Sequence, residues 1–180
     1  PKKKYERPKV TIEQPVENDV VFETKIDTNF LLKIKEVYVF SLESDTIDIT
    51  KTRYSDETFV ELNMTPRNRP WSFYRDQMIN MVFIKKNGEK IALLDQDALI
   101  RKFSPAKFKT NETDYIFEAN VYQIVTEDSN NDGYLSVKDN SSIYVSNYDG
   151  TGIKNVVDNA VNYFLLEDNT LFIRTEKAHG

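Results

Sequence analysis

The residues best suited to chemistry lie close together in the segment 128–139, DSNNDGYLSVKD. Asp128, Asn130 and Asp132 occupy alternate positions, and Asp139 ends the segment. Calcium is a hard cation that takes about six to eight oxygen ligands, and one short loop can supply them from closely spaced carboxylate, amide and carbonyl oxygens. The segment therefore predicts a calcium-binding loop.

The other positions of the segment complete this prediction. Gly133 permits the sharp bend that carries a chain around an ion. Tyr134 offers a backbone carbonyl, Ser136 can ligate through a water molecule, and the apolar Leu135 is expected to pin the loop to the core. The predicted calcium ligands are Asp128, Asn130, Asp132, Tyr134, Ser136 and Asp139.

This spacing resembles the EF-hand loop, whose ligands stand at positions 1, 3, 5, 7, 9 and 12 of the loop. Position 12 is Asp139, where sensor EF-hands have Glu, and the missing methylene shortens the reach of the carboxylate. The segment is also similar to the loops of dockerins and of extracellular bacterial β-proteins, which often end in Asp. The resemblance implies a calcium site of reduced affinity.

The flanks of the loop predict a structural ion in place of a regulatory one. A sensor EF-hand lies between two helices that open when calcium binds. Here the preceding segment, YIFEANVYQIVTE, alternates and is rich in β-branched residues, and only a short helical turn is expected over 136–141. Extracellular modules of this kind bind calcium with constants of about 10⁻⁴ to 10⁻³ M. Because cytosolic calcium is too scarce for so weak a site, we expect an extracytoplasmic location.

Composition excludes several other classes of function. The chain has 180 residues and no cysteine, which rules out disulfides, thiolate catalysis and sulfur-ligated zinc. Its single histidine, His179, could act as a general base only if the terminal segment folded back into a site. A net charge of -5 argues against nucleic acid as a partner. No apolar run is long enough to span a bilayer.

Short runs of β-branched and aromatic residues, separated by Asn, Asp and Gly, predict the elements that position the loop. Tight turns at 87–88, 147–152 and 167–169 join several of these runs into hairpins. One helix is predicted over 95–103, DQDALIRKF. The predicted strands cover 20–26, 31–40, 58–64, 79–85, 90–94, 115–125, 142–146, 162–167 and 170–175.

These elements predict an all-β fold of antiparallel hairpins with one or two short helices. An apolar strand, a polar turn and a second strand recur from positions 37, 81 and 143, which is typical of a partial β-propeller and also of a sandwich. We expect residues 1–12 to form a flexible basic tether and residues 13–180 to form a single domain.

A wider resemblance covers 127–157, EDSNNDGYLSVKDNSSIYVSNYDGTGIKNVV. The segment looks like a calcium loop followed by the hairpin of TolB-like propeller blades in bacterial envelope lipoproteins. The resemblance implies a periplasmic or cell-surface protein that is tethered through an N-terminal lipid and binds other proteins without catalysis. We therefore expect a non-enzymatic interaction or scaffold domain whose partner is another envelope protein or a glycan.

Two alternative functions remain open on the sequence. The segment 67–76, RNRPWSFYRD, gathers Trp71, Phe73 and Tyr74 with Arg69 and Arg75, and could form a platform for a sugar in a carbohydrate-binding module. Paired carboxylates can hydrolyse glycosides, and the candidate pairs are Asp45 with Asp48 and Asp95 with Asp97. We expect acidic residues near turns to be solvated, so a hydrolase is the weaker alternative.

Overall fold

The computed structural model describes residues 22–46, 71–108, 116–166 and 169–176, and within these ranges the fold is all-β. The strands are β1 (Phe22–Ile34), β2 (Val37–Thr46), β3 (Ser72–Phe73), β4 (Met78–Lys85), β5 (Lys90–Ala92), β6 (Leu99–Ser104), β7 (Ala119–Val125), β8 (Tyr134–Leu135), β9 (Ser142–Asn147), β10 (Lys154–Val157), β11 (Ala160–Leu166) and β12 (Thr170–Thr175). No helix of the described part of the chain could cross a membrane.

The strands form three antiparallel sheets that follow one another along the chain. Sheet 1 has the order β1-β2-β4-β5, sheet 2 has the order β10-β9-β7-β6, and sheet 3 is the hairpin β11-β12. A parallel bridge, β3-β8, joins the segment after residue 70 to the candidate loop. Neighbouring strands are mostly consecutive, because short turns connect antiparallel strands directly.

The predicted hairpins are confirmed, and their turns have local causes. Gly88 has φ of +85° and its N–H donates to the Lys85 carbonyl at 2.9 Å, which closes the turn between β4 and β5. Gly150 has φ of +83° in the turn between β9 and β10. Asn169, at the turn into β12, has φ of +57°. Gly and Asn tolerate this left-handed backbone region at low cost.

Sheet 2 is the middle layer of the described fold. Its Tyr122 and Ile124 pack in one apolar cluster with Met81 and Phe83 of sheet 1. The opposite face of sheet 2 packs on Tyr163 of sheet 3 in a second, smaller cluster. Because both faces of sheet 2 are covered, β7 is buried almost throughout and lacks the alternation expected where one face meets water.

The helix predicted over 95–103 is wrong. Leu99 and Ile100 belong to β6 and pair with Val125 and Ile124 of β7, which buries both side chains. Ahead of them, the Ala98 N–H donates to the Ile79 carbonyl at 3.0 Å. Tertiary pairing with β7 outweighs the weak local helix propensity of this stretch. The helical turn expected over 136–141 is not helical either: it is a β-turn closed by a 3.3 Å bond from the Asp139 N–H to the Ser136 carbonyl, and the described residues contain no helix.

Some predictions fall outside the described residues. They are the tether at 1–12, the strand at 58–64 and the positions of Asp48, Arg69 and His179.

Candidate calcium loop

The first half of the candidate loop, between β7 and β8, turns back on its first predicted ligand, Asp128. The two carboxylate oxygens of Asp128 accept backbone N–H bonds from Asp132 at 3.2 Å and from Gly133 at 2.7 Å. Gly133 has φ of +84°, and Asn131 before it has φ of +58°. The chain therefore turns back around the Asp128 carboxylate, with the glycine at the position where the bend was predicted.

The next two predicted ligands each stabilise their own turn. Asn130 Oδ1 accepts the Asp132 N–H at 2.9 Å, and Asp132 Oδ1 accepts the Tyr134 N–H at 3.0 Å. Such side-chain bonds two residues ahead are Asx turns, which hold a loop without help from a sheet. Asn130 and Asp132 are exposed. Because each side-chain oxygen has about two lone pairs, these oxygens keep capacity for a cation.

Asp139 lies in a very different environment at the end of the loop. Its side chain is 4% exposed. Oδ1 accepts the backbone N–H groups of Ser129 at 2.9 Å and Asn130 at 3.2 Å, and the Ser129 hydroxyl at 3.2 Å. Oδ2 accepts the Ser136 N–H at 2.8 Å and the Ser136 hydroxyl at 3.2 Å. One buried carboxylate thus joins both ends of the loop.

These bonds fix the charge state of Asp139. Burial alone would raise the pKa of its carboxyl, because a low-dielectric environment disfavours the anion. The backbone bonds from Ser136 and Asn130, together with the hydroxyl bonds from Ser129 and Ser136, outweigh burial and hold the pKa below its ordinary value. Asp139 is therefore an anion at neutral pH.

The predicted ligand Ser136 is also engaged within the loop. Its side chain is 5% exposed, and its hydroxyl accepts the Lys138 N–H at 3.1 Å while donating to Asp139. The neighbouring Leu135 is fully buried in the larger apolar cluster, which confirms that it pins the loop to the core.

The loop and the predicted aromatic segment meet in space. The Ser72 N–H donates to the Gly133 carbonyl at 2.8 Å, and Phe73 pairs with Leu135 across the parallel bridge. The Tyr74 ring stacks on the Tyr134 ring with centroids 4.8 Å apart and an interplanar angle of 15°. Sequence reasoning missed this contact, because about sixty residues separate the two segments and no local pattern encodes their pairing.

The structure divides the aromatic segment between core and surface. Phe73 is fully buried, and Trp71 is half-buried with an enclosed Nε1 that lacks a hydrogen-bond partner in the described part of the molecule. Tyr74 is 49% exposed. Exposed Arg75 lies 3.7 Å from the Asp76 carboxylate. Of the three aromatic residues, only Tyr74 presents a large ring surface to solvent.

The described residues hold no group of three or more acidic or histidine side chains that could bind a metal. Calcium binding by this loop would therefore need amide and backbone oxygens beside its carboxylates. Of the proposed catalytic pairs, Asp45 and Asp48 fall partly outside the described residues. Asp97 is buried and accepts a 2.9 Å bond from Asn80 Nδ2, whereas Asp95 is exposed. The second pair is thus divided between the interior and the surface.

Comparison of the chain with known proteins found no matching family model, no matching curated protein and no matching solved structure.

Proposed function

We propose that this chain is a calcium-stabilised, non-enzymatic interaction or scaffold domain of the bacterial cell envelope. The observation that carries the proposal is the first half of the loop, where Asp128, Asn130 and Asp132 present oxygens around a bend at Gly133. The donors are hard oxygens, which is the ligand chemistry that calcium prefers. The carbonyl of Tyr134 would complete this half of the site.

A cation held there would stabilise more than the loop itself. Gly133 and Leu135 contact Ser72 and Phe73, so the loop is coupled to a segment of sheet-forming chain that is distant in sequence. At calcium concentrations about ten to a hundred times the dissociation constant, binding contributes roughly 1.4 to 2.7 kcal/mol to folding. Because cytosolic calcium is too scarce to fill so weak a site, this requirement supports an extracytoplasmic location. A scaffold domain would meet its partner there.

The arrangement of the sheets supports a propeller-like architecture within the same proposal. Sheets 1 and 2 each contain four antiparallel strands, and the three sheets follow chain order with sheet 2 in the middle. Blades of a propeller are small antiparallel sheets of this kind. An N-terminal lipid anchor and an envelope protein as partner remain part of the proposal through the resemblance of 127–157 to TolB-like blades.

The test of calcium binding uses Asp132→Asn, which keeps a side-chain oxygen for the Tyr134 N–H but removes the charge. We expect calcium to raise the melting temperature of the unsubstituted protein above its value in chelator. Asp132→Asn should remove most of that difference. The matched control is Asp95→Asn, which neutralises an exposed carboxylate outside the loop. Equal melting curves of the unsubstituted protein in calcium and in chelator would refute the proposal.

Terbium luminescence offers a second readout of the same site. Terbium replaces calcium at oxygen sites and is excited through nearby tyrosines, and Tyr134 lies in the loop with Tyr74 stacked on it. Excitation of tyrosine should therefore produce terbium emission that calcium displaces. We expect Asp132→Asn to weaken the emission and Asp95→Asn to leave it unchanged.

A carbohydrate-binding module is the second candidate, favoured by the half-exposed ring of Tyr74 beside the loop. Aromatic faces at a polar surface can stack on sugar rings. Because Phe73 and much of Trp71 are buried, Tyr74 is the better probe. Retention of a glycan on an array by the unsubstituted protein, and its loss in Tyr74→Ala, would support this candidate.

A further inference from the structure

The donors to Asp139 come from both ends of the loop. Ser129 and Asn130 lie at its start, ten and nine positions before Asp139, and Ser136 lies three positions before it. We propose that Asp139 is a positioning residue that holds the loop closed, and not the direct calcium ligand that the EF-hand spacing predicts. The Asp139 clasp is defined here as Asp139 with Ser129, Asn130 and Ser136.

The Asp139 carboxylate accepts hydrogen bonds at both of its oxygens. Oδ1 accepts three donors and Oδ2 accepts two, with donor–acceptor distances between 2.8 and 3.2 Å. A carboxylate offers about four lone-pair sites in all. The capacity of Asp139 is therefore filled within the chain. Asp132 differs, because its Oδ1 accepts one backbone bond and its side chain is exposed.

Coordination of an ion by Asp139 would cost several of these bonds. Turning the carboxylate toward an ion would break bonds to the backbone N–H groups of Ser129, Asn130 and Ser136. A buried N–H that loses its acceptor pays its full desolvation penalty, and bonds to charged acceptors are the stronger ones. The low exposure of Asp139, 4%, leaves little room for water to replace the lost bonds.

All five bonds of the clasp come from the loop's own backbone and hydroxyl groups, so the clasp itself shapes the first half of the loop. Preorganisation of this kind strengthens binding by reducing the ordering that binding requires. The calcium part of this inference rests on the proposed function, whereas the structural part concerns only the bonds within the loop.

Asp139→Glu separates the two roles of Asp139, because they predict opposite signs. A direct ligand at position 12 should gain reach from the added methylene, so terbium affinity would rise and the melting temperature in chelator would stay unchanged. If Asp139 acts as a clasp, the longer Glu side chain should no longer fit the five donors, because their positions match the shorter Asp side chain. We therefore expect a lower melting temperature in chelator and a terbium affinity that falls about tenfold, equivalent to one lost charged hydrogen bond.

Comparison with Asp132→Asn keeps the two proposals separable. Asp139→Glu should lower the melting temperature in chelator and lower it further in calcium, because its affinity for the ion also falls, whereas Asp132→Asn should act mainly in calcium. If no variant and no unsubstituted sample responds to calcium or terbium, the proposed function fails while the chelator data still decide the clasp. Higher terbium affinity or an unchanged chelator melting temperature in Asp139→Glu would overturn the clasp.

A milder substitution covers the case in which Asp139→Glu does not fold. Ser129→Ala removes a hydroxyl that donates to Asp139 Oδ1 and accepts the Asn140 N–H at 2.9 Å. It keeps the backbone N–H that also donates to Asp139. We expect a smaller drop of the melting temperature in chelator and a smaller loss of terbium affinity. No change in either quantity would contradict the clasp.

Discussion

At the scale of single residues, Asp139 is the charged group on which five hydrogen bonds of the loop converge. Its anion is buried and is stabilised by donors of the loop's own backbone and hydroxyl groups. Since the unfolded chain offers no such donors, the pKa of Asp139 is lower in the folded protein than in the unfolded one. The folded state must therefore lose stability when this group takes up a proton.

The pH dependence follows from that sign. A carboxyl with a lowered folded-state pKa contributes stability above its unfolded pKa, about 3.9, and loses it as pH falls through the folded-state pKa. We expect the difference in unfolding free energy between the unsubstituted protein and Asp139→Asn to be largest at neutral pH and to shrink below about pH 4. Urea denaturation in chelator at several pH values measures it. A difference that stays constant down to pH 2 would contradict the assignment.

Two glycines with nearly the same backbone conformation make a matched pair. Gly133 has φ of +84° and Gly150 has φ of +83°. A Cβ at Gly133 would meet nothing within 4 Å, whereas one at Gly150 would overlap the Phe83 ring. We expect Gly133→Ala to cost about 1 to 2 kcal/mol from backbone strain alone. Gly150→Ala should cost about 1 to 3 kcal/mol more through overpacking. Urea denaturation midpoints measure the loss of stability in each variant. Equal losses for Gly133→Ala and Gly150→Ala would contradict this prediction.

At the scale of elements, Asn80 fixes the path of the chain between β5 and β6. Its Nδ2 donates to the Leu94 carbonyl at 3.0 Å and to Asp97 Oδ1 at 2.9 Å, and its Oδ1 accepts the Leu94 N–H at 3.1 Å. The Asn80 side chain is fully buried. This one amide holds the middle of the connecting segment, between the backbone bonds that Leu93 and Ala98 donate to Met81 and Ile79 of β4.

Removal of the Asn80 amide should be costly. Asn80→Ala leaves the Leu94 backbone and Asp97 without these partners, and each unsatisfied buried group costs about 1 to 3 kcal/mol. We expect a loss of about 3 kcal/mol in the free energy of unfolding. The control is Asn87→Ala, which removes an exposed turn bond to the Glu89 N–H and should cost less than about 1 kcal/mol. Similar losses for both variants would show that the Asn80 bonds contribute little.

The elements that the sequence predicted correctly are those with local causes. The hairpin turn at Gly88 depends on residues within a few positions of one another, and a pattern along the chain records it. The helix predicted over 95–103 failed, because the conformation of Leu99 and Ile100 is set by β7, about twenty-five residues away in sequence. Propensity is a weak guide where long-range pairing decides the backbone.

The same distinction holds for the candidate site. The residue types of the loop and its bend at Gly133 can be read from the sequence. The Asx turns of Asn130 and Asp132 can be read there too, because each reaches only two residues ahead. The five donors to Asp139 are not visible there, since position 12 of a calcium loop and a buried clasp need the same residue type. The stack of Tyr74 on Tyr134 depends on the parallel bridge, which short-range patterns do not encode.

At the scale of the described fold, sheet 3 has the weakest attachment. It has two strands, packs on the smaller apolar cluster, and leaves Phe164, Leu166 and Phe172 about half exposed. Polar bonds reinforce this contact. Lys102 Nζ donates to the Tyr163 carbonyl at 2.7 Å, and the Tyr163 hydroxyl lies 3.1 Å from the Val121 carbonyl. An isolated two-stranded sheet is marginal in water, so sheet 3 depends on these contacts with sheet 2.

Sheet 3 should therefore open before sheets 1 and 2. Native-state hydrogen exchange should give β11 and β12 amides a lower opening free energy than those of β4 and β7. Tyr163→Phe removes a buried hydroxyl that bonds to Val121 and Ser104. It should therefore lower the opening free energy of the β11 and β12 amides by about 1 to 2 kcal/mol and leave that of the β4 amides unchanged. Tyr144→Phe, on the half-buried β9 ring, is the control. An equal shift in every strand would mean that the three sheets open as one cooperative unit.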